Sequence, residues 1–520
     1  MSELIAALNG MIWSPVLVYL CLAAGVYFTI ATRMVQLRAL PDMVKQTFRG
    51  EKSADGVSSF QALTMSLAGR VGTGNIAGVA TAIAFGGPGA VFWMWAVAFL
   101  GASTSFIEST LGQIFKERDK DTGEYRGGPA YYLLKAYRHT KAAGLFRVWA
   151  AVFAFVTVLA MTVLMPGVQA NGISTAMAGA WGVNPWVVAV GLVIVLGFIV
   201  IGGVKRIANF AQVVVPVMAL VYILIALVVV LVNAPMIPQV LNLIFSSAFG
   251  VHATFGAIIG TAVEWGVKRG IYSNEAGQGT GPHASAASEV SHPAKQGLVQ
   301  AGSVYIDTLF VCSATAFMIL STGMYRVFEG GSEDGAVLAE GGNLGADVGV
   351  GPGFAQGAFD TLMPGVGASF IAVSLAFFAF TTIVAYYYMA ETNLKYLMRR
   401  LDHPGARQVL VRLLQAAMLV ACAWGATTTA TEAWALGDIG VGLMAWFNIL
   451  GILVLQVPAL KALRDYERQK KSGLDPRFDP ATLGIRNADF WAGSAPGTDT
   501  AGTSRSEDGT PSPAAEAPRP

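Results

Sequence analysis

Apolar runs of about twenty residues, repeated along the whole chain and nearly free of charge, constrain this sequence more than any other feature. Each can cross a hydrocarbon core of about 30 Å as a helix. They fall at about 11–31, 57–84, 88–114, 146–176, 184–204, 207–233, 255–290, 296–323, 366–394, 406–428 and 432–459. Only 13% of residues are charged, against about 25% in soluble domains, and a soluble core does not explain so many runs of this length. A β-barrel would need alternating segments of about ten residues, and none is present. The first run lacks a basic leader and a small-residue cleavage site, so it reads as a retained helix. The fold class is all-α: a polytopic membrane protein with eleven transmembrane helices.

Charge orients the chain. Arg33, Arg38, Lys45, Arg49 and Lys52 follow the first run, and Lys116 through Arg147 lie between the third and fourth. Lys205, Arg206, Lys295, Arg399, Arg400, Arg407 and Lys461 continue the same alternation. All fall on one side if the N-terminus is outside and the C-terminus cytoplasmic. The long opposite loop, about 324–365, is acidic and glycine-rich and is expected to be a mobile external loop. Residues 461–485 form a cytoplasmic extension, and 486–520, rich in Ala, Gly, Pro, Ser and Thr, are expected to be a disordered tail. Cys21, Cys312 and Cys422 lie in apolar runs without metal-type spacing, and the five histidines are scattered. An enzyme, a metal centre and a nucleic-acid partner are not expected, and no cofactor is expected. Nothing matches a P-loop.

Two runs are irregular. The second contains LAGRVGTGNIAGVA (67–80) and the seventh GVKRGIYSNEAGQGTG (266–281). Irregular backbone at membrane depth is tolerated only against protein or a water-filled cavity. In secondary transporters, half-helix N-termini face anionic substrate groups and freed carbonyls hold the coupling ion. The breaks stand five runs apart, which suits two five-helix repeats of opposite topology, 57–233 and 234–460, after a first helix and loop over 1–56. Exposed amides at Gly72–Asn75 suit an amino acid's carboxylate. Close helix packing is the rival explanation for a glycine cluster, but two breaks in corresponding positions, each beside cations, favour a binding site. The dinucleotide pattern G-x-G-x-x-A also fits GTGNIA, but its flanks are not a soluble βαβ unit.

The stretches GRVGTGNIAGVATAIAFGGPGAVFWMW (69–95), RGGPAYYL (126–133), WGVKRGIYSNEAGQGTGPHASAA (265–287) and IDTLFVCS (306–313) resemble the alanine-or-glycine:cation symporter family, in order, over most of residues 1–460. The resemblance implies a LeuT-type five-plus-five inverted repeat and sodium-coupled (sometimes proton-coupled) import of small neutral amino acids by a monomer in the bacterial inner membrane. It implies that Thr73, Gly74 and Asn75 hold the substrate carboxylate and that Gln169 lines the site. Gly270, Ile271 and Tyr272 match the second broken helix, where the family usually has Phe in place of Tyr272. By analogy with the fold's common sodium site, the carbonyls of Ala68, Val71 and Phe378 and the hydroxyls of Thr381 and Thr382 would hold sodium. Tyr386 stands where some members have a tryptophan that closes over the substrate. That leaves a pocket polar at its tip, so serine and glutamine join alanine and glycine as candidate substrates.

An arginine at membrane depth must face a cavity or a partner. For Arg70 the candidate partners are Glu275, Asp307 and Glu108. Arg70 and Glu275 are also candidates for gating or coupling. Lys268 and Arg269 have Glu264 or Glu275 as candidate partners; the alternatives are a gate on an exit path or simple access to water. A channel is a weaker reading, because channels use symmetric rings from several subunits.

Overall fold

The computed structural model describes residues 2–48, 56–119, 122–200, 203–252, 254–255, 258–345 and 347–492. Arg49, Lys52 and the sequence from 493 onward lie outside the described residues, as do the side chains of Lys205 and Arg206.

Helix occupies every apolar run. Among the described residues, eight helices are long and apolar enough to cross a membrane: Glu3–Ala31, Gly89–Ile114, Ala143–Trp181, Ala211–Val232, Pro293–Thr322, Gly367–Met398, Pro404–Thr427 and Ala430–Leu455. Two shorter apolar helices, Gly74–Gly86 and Pro185–Ile199, accompany them. The protein is a mostly helical, polytopic membrane protein.

Nine helices position the site. They are α1 (Ser59–Arg70), α2 (Val79–Gly86), α3 (Gly89–Ile114), α4 (Pro166–Trp181), α5 (Ile259–Asn274), α6 (Gly281–Ala287), α7 (Pro293–Val304), α8 (Gly367–Met398) and α9 (Ala430–Leu455). A capping box starts α1: the Ser58 hydroxyl accepts from Gln61 N, and the Gln61 side chain accepts from Ser58 N. In α8 an unbroken buried stretch runs from Phe378 to Ala390. On the periphery, Pro185–Val200, Gly203–Val232 and Pro404–Thr427 expose Ile194, Phe198, Leu231 and Val420. A helix apolar on all sides and exposed on one belongs against lipid. The segregation separates an inner core, rich in small and polar residues, from an aliphatic rim.

The loop near 324–365 carries more structure than its glycines suggest. Strands Arg326–Phe328 and Val337–Glu340 form an antiparallel pair, and Pro352–Asp360 is a helix. Val327, Phe328, Phe354 and Phe359 are buried, so a few apolar anchors order a chain whose average composition is that of a loop.

Residues 486–492, expected to belong to a disordered tail, are ordered. The helix Val457–Lys471 leads into a strap across the ends of α3 and α7. Phe478 N donates to Ser291 O at 3.0 Å, Lys295 pairs with Asp475 at 2.8 Å, and Trp491 Nε1 donates to Gln113 O at 3.1 Å. The Lys116 ammonium lies 4.3 Å from the Phe490 ring centroid. Phe478, Ile485 and Trp491 are buried; these apolar residues outweigh the polar composition around them.

His292 links the strap helix to the bundle. Its Nδ1 accepts from Ala294 N, and its Nε2 faces Asp465 at 3.4 Å. Burial holds the His292 pKa below its ordinary value despite the Asp465 hydrogen bond and charge. Burial would raise the Asp465 pKa, but the hydrogen bond from His292 and that from Gln469 keep it below the usual carboxylate range. Both directions give the same sign. Neutral imidazole and ionised carboxylate stabilise docking above the unfolded histidine pKa of about 6.5, and docking weakens as pH falls below it. Limited proteolysis within 472–488 is therefore expected to speed up on acidification and in Trp491→Ala, whose lost burial costs about 3 kcal/mol. Cleavage rates compared by mass spectrometry check both.

Candidate functional site

The first break follows Arg70. Val71 is extended (φ −77°, ψ 91°), Gly72 continues the irregular stretch, and a π-helical turn, Gly74–Gly78, leads into α2. Two side-chain carbonyls meet the freed amides: Gly72 N donates to Asn75 Oδ1 at 2.8 Å, and Thr73 N donates to Gln169 Oε1 at 2.9 Å. Gly72 is required by space. A Cβ there would lie 2.5 Å from Thr382 Oγ1 and 2.8 Å from Gln169 Oε1.

Gln169, on α4, has a second contact, because its Nε2 donates to Tyr272 Oη at 3.4 Å. The hydroxyl that distinguishes Tyr272 from phenylalanine is thus engaged. Tyr386, fully buried on α8, stands beside Gln169 and Tyr272. Asn75 reaches the other way, donating to Ser273 Oγ at 3.0 Å and Asp307 Oδ1 at 2.6 Å. Gly74 packs on Tyr272, whose Cδ1 would lie 3.1 Å from a Cβ at Gly74. The structure therefore gathers Thr73, Gly74, Asn75, Gln169, Tyr272 and Tyr386 around the first break. Gly270 and Ile271 serve α5 itself. Gly270 faces Val97 and Met94 of α3, and the Ile271 carbonyl accepts from Glu275 N at 2.9 Å.

Beside these amides lies a set of oxygens. The Thr382 hydroxyl is 2.9 Å from Ala68 O, 3.4 Å from Val71 O and 3.0 Å from Phe378 O. The Thr381 hydroxyl is 2.9 Å from Phe378 O. All five residues are buried. A hydroxyl has one proton to donate, and the Thr382 hydroxyl stands within 3.4 Å of three carbonyls. An oxygen set short of protons suits a hard cation.

The second break lies C-terminal to the Gly270–Tyr272 segment singled out in the sequence. Helix α5 continues to Asn274; Glu275 is left-handed (φ 56°), as are Gly277 (φ 86°) and Gly279 (φ 88°), and α6 starts at Gly281. Glu108 on α3 closes this turn, its carboxylate accepting from Gly277 N at 3.3 Å and Gly279 N at 3.2 Å. Asn448 on α9 donates to Glu108 at 2.7 Å and to Gly277 O at 2.8 Å.

The buried cations Arg70, Lys268 and Arg269 make their direct contacts with other groups than the carboxylates expected. Arg70 donates to Gln300 O at 3.2 Å, to Ser105 Oγ at 3.3 Å and to Ser303 Oγ. It faces Glu275, Asp307 and Glu108 without a direct ion pair to any of them. Lys268 and Arg269 pair with neither Glu264 nor Glu275. Their partner is Asp438 on α9, at 3.0 Å from Lys268 and in a two-pronged contact of 2.7 and 3.2 Å with Arg269. Both are buried, which excludes simple access to water. The Arg269 guanidinium lies 4.1 Å from the Trp434 ring, which in turn packs 4.9 Å from Tyr272. An aspartate inside the last apolar run was the signal available in the sequence.

A cavity of about 890 Å³, lined by residues including Arg126, Tyr131, Tyr387, Glu391, Lys395 and Gln415, reaches Tyr387, the neighbour of Tyr386.

Against known proteins, residues 1–480 match the sodium:alanine symporter family. The chain belongs to this family. It is 57% identical to the putative sodium/proton-dependent alanine carrier protein YrbD of Bacillus subtilis (strain 168), over 94% of this chain and 98% of that one. It is 49% identical to the sodium/proton-dependent alanine carrier protein of Bacillus sp. (strain PS3), over 86% and 97%. It is 38% identical to the probable sodium/glutamine symporter GlnT of Bacillus subtilis, over 96% and 98%. A solved structure of a substrate-bound, outward-open Na+-coupled sialic acid symporter shares its fold, with a TM-score of 0.50 and 13% identity over 93% and 96% of the two chains.

Removing the Asp438 carboxylate would leave two buried cations uncompensated. Asp438→Asn is expected to destabilise the protein by about 3–5 kcal/mol, whereas Glu264→Gln should change stability by less than about 0.5 kcal/mol. Thermal unfolding in detergent distinguishes them.

Proposed function

We propose that this symporter imports small neutral amino acids, with alanine as the favoured substrate and sodium as the coupling ion. The observation that carries the reading is that substrate amides and cation oxygens belong to one interruption of one helix. Ala68 and Val71 give carbonyls to the oxygen set, and Gly72 and Thr73 give amides to the neighbouring pocket. Sodium drawing in the carbonyls of 68 and 71 fixes the orientation of the next two amides. A carboxylate held on those amides adds negative charge close to the ion. Each ligand then favours the other, typically by about 1–3 kcal/mol, and this linkage couples the two fluxes.

In this reading the segment Thr73, Gly74 and Asn75, with the Gly72 amide, receives the carboxylate, which displaces Asn75 Oδ1 from Gly72 N and Gln169 Oε1 from Thr73 N. Gln169, Tyr272 and Tyr386, with the α5 backbone at Gly270 and Ile271, bound the pocket. Tyr272 and Tyr386 close it on the side-chain end. Two relatives are described as alanine carriers, which supports alanine as the favoured substrate. Eleven spans, a LeuT-type inverted repeat over 57–233 and 234–460, and action as a monomer in the cytoplasmic membrane complete the reading. Contact between the two breaks, through Asn75 and Ser273, supports a site at the repeat interface. The strap's contacts with Lys135 and Lys295, and those of the strap helix's Glu467 with Arg33 and Arg38, support a cytoplasmic C-terminus and an external N-terminus. The cavity ending at Tyr387 then serves as the cytoplasmic vestibule.

Uptake of labelled alanine into proteoliposomes, with and without an inward sodium gradient, tests the proposal. Sodium-dependent uptake competed by glycine and serine is expected; no uptake under a sodium or a proton gradient rejects it. Gln169→Ala loses an acceptor and a donor and is expected to lower uptake roughly tenfold or more. Thr382→Val is expected to raise the half-saturating sodium concentration roughly tenfold, with the order of competing amino acids preserved. An unaltered sodium dependence would remove the cation assignment.

A further inference from the structure

Three carboxylates and one guanidinium meet around the second break, and their partners differ sharply. Glu108 accepts from Gly277 N, Gly279 N and Asn448. Asp307 accepts from Asn75, from Ser273 at 2.8 Å and from Thr308 at 2.7 Å. Three donors each stabilise the ionised form of those two groups. Glu275 is fully buried, and neither of its carboxylate oxygens has a hydrogen-bond partner. The Thr280 hydroxyl stands beside it, also without a bond of proper geometry, and Arg70 Nε is likewise unpartnered.

The surroundings say what this carboxylate can hold. It lies against Gly69, where a Cβ would sit 3.4 and 3.6 Å from its two oxygens and 3.3 Å from the Met389 methyl. A hard metal cation gathers several oxygen ligands. Beyond its own two oxygens, Glu275 has the Thr280 hydroxyl, a methyl group and a guanidinium that repels a metal ion. A proton requires one oxygen. The ionisable groups around it are Arg70 from α1, Asp307 from the helix that continues α7, Tyr272 from its own α5 and Tyr386 from α8, and Glu108 from α3 faces the other side of the same Arg70.

We propose that Glu275, with the Thr280 hydroxyl and the Gly69 cradle, is a proton-binding site separate from the oxygen set at Ala68, Val71, Phe378, Thr381 and Thr382, and that it carries a proton inward with the amino acid. The inference rests on the symport reading. When the site is open outward, the carboxylate and a proton from external water combine to the neutral acid. When it is open inward, the acid gives the same proton to cytoplasmic water. In the ionised form the charge of Arg70 compensates the carboxylate as the empty carrier returns. Gly69 precedes Arg70 and follows Ala68, so the proton site and the cation set sit on consecutive residues of α1. Protonation therefore alters charge directly beside the sodium ligands.

The test uses the full-length protein in proteoliposomes containing a trapped pH-sensitive dye, with the membrane potential clamped. Adding alanine and sodium outside should acidify the lumen of wild-type vesicles in step with uptake. Glu275→Gln should abolish alanine-dependent acidification and flatten the pH dependence of whatever uptake remains. Thr280→Val, which removes only the neighbouring hydroxyl, should shift the pH of half-maximal uptake. Sodium-driven alanine uptake by the wild type without acidification would overturn the proton site and leave the symport reading standing. Wild-type acidification in Glu275→Gln would overturn the residue assignment. Should Glu275→Gln fail to transport, an unshifted pH profile in Thr280→Val would overturn it equally. No sodium-driven uptake by the wild type would instead reject the reading on which the inference rests.

Discussion

A helix interrupted inside an apolar medium leaves amides and carbonyls with no water to bind, and the rest of this structure is arranged to meet that demand. At the first break, Asn75 and Gln169 supply acceptors and Thr382 supplies a donor. At the second, Glu108 accepts from two glycine amides, Asn448 donates to a carbonyl, and Asn274 accepts from Ala276 N. The partners come from α3, α4, α8 and α9, which are far apart in sequence. Each break therefore binds distant helices together, and the polar groups that satisfy it are those a ligand would displace or join.

Charge follows a similar logic on the side toward the 326–340 strand pair. Two cations on adjacent residues of α5 share one carboxylate on α9, and tryptophan faces take part of the remaining positive charge. Gly331 of the loop lies close to the Trp265 indole. The arrangement joins α5 to α9 directly over Tyr272, and any motion that separates these helices must break a desolvated ion pair.

Much of this architecture was legible in the sequence. Apolar length located the helical runs, and glycine beside polar residues located both interruptions. The proximity of Ala68 and Val71 to Thr382 followed from resemblance rather than from periodicity. Other features depended on contacts that no local pattern encodes. Asp438 is 169 positions from Arg269, so nearer carboxylates such as Glu264 stood out first. The second turn falls inside the irregular stretch 266–281 but C-terminal to Gly270–Tyr272, at Glu275, a non-glycine in a left-handed conformation that glycine usually marks. Average composition hid the order of the loop near 324–365 and of residues 486–492, where a few aromatic side chains outweigh many small polar ones.

The strap from Val457 to Trp491 has a consequence for how the molecule is made. It bridges the ends of α3 and α7 and the Lys135 carbonyl, through contacts 378, 180 and 352 positions apart in the chain. Its anchors emerge from the ribosome only after every apolar helix has been synthesised. The clasp over the basic loops is thus the closing event of biogenesis, and a chain that stops short of Trp491 is left with an unfastened face.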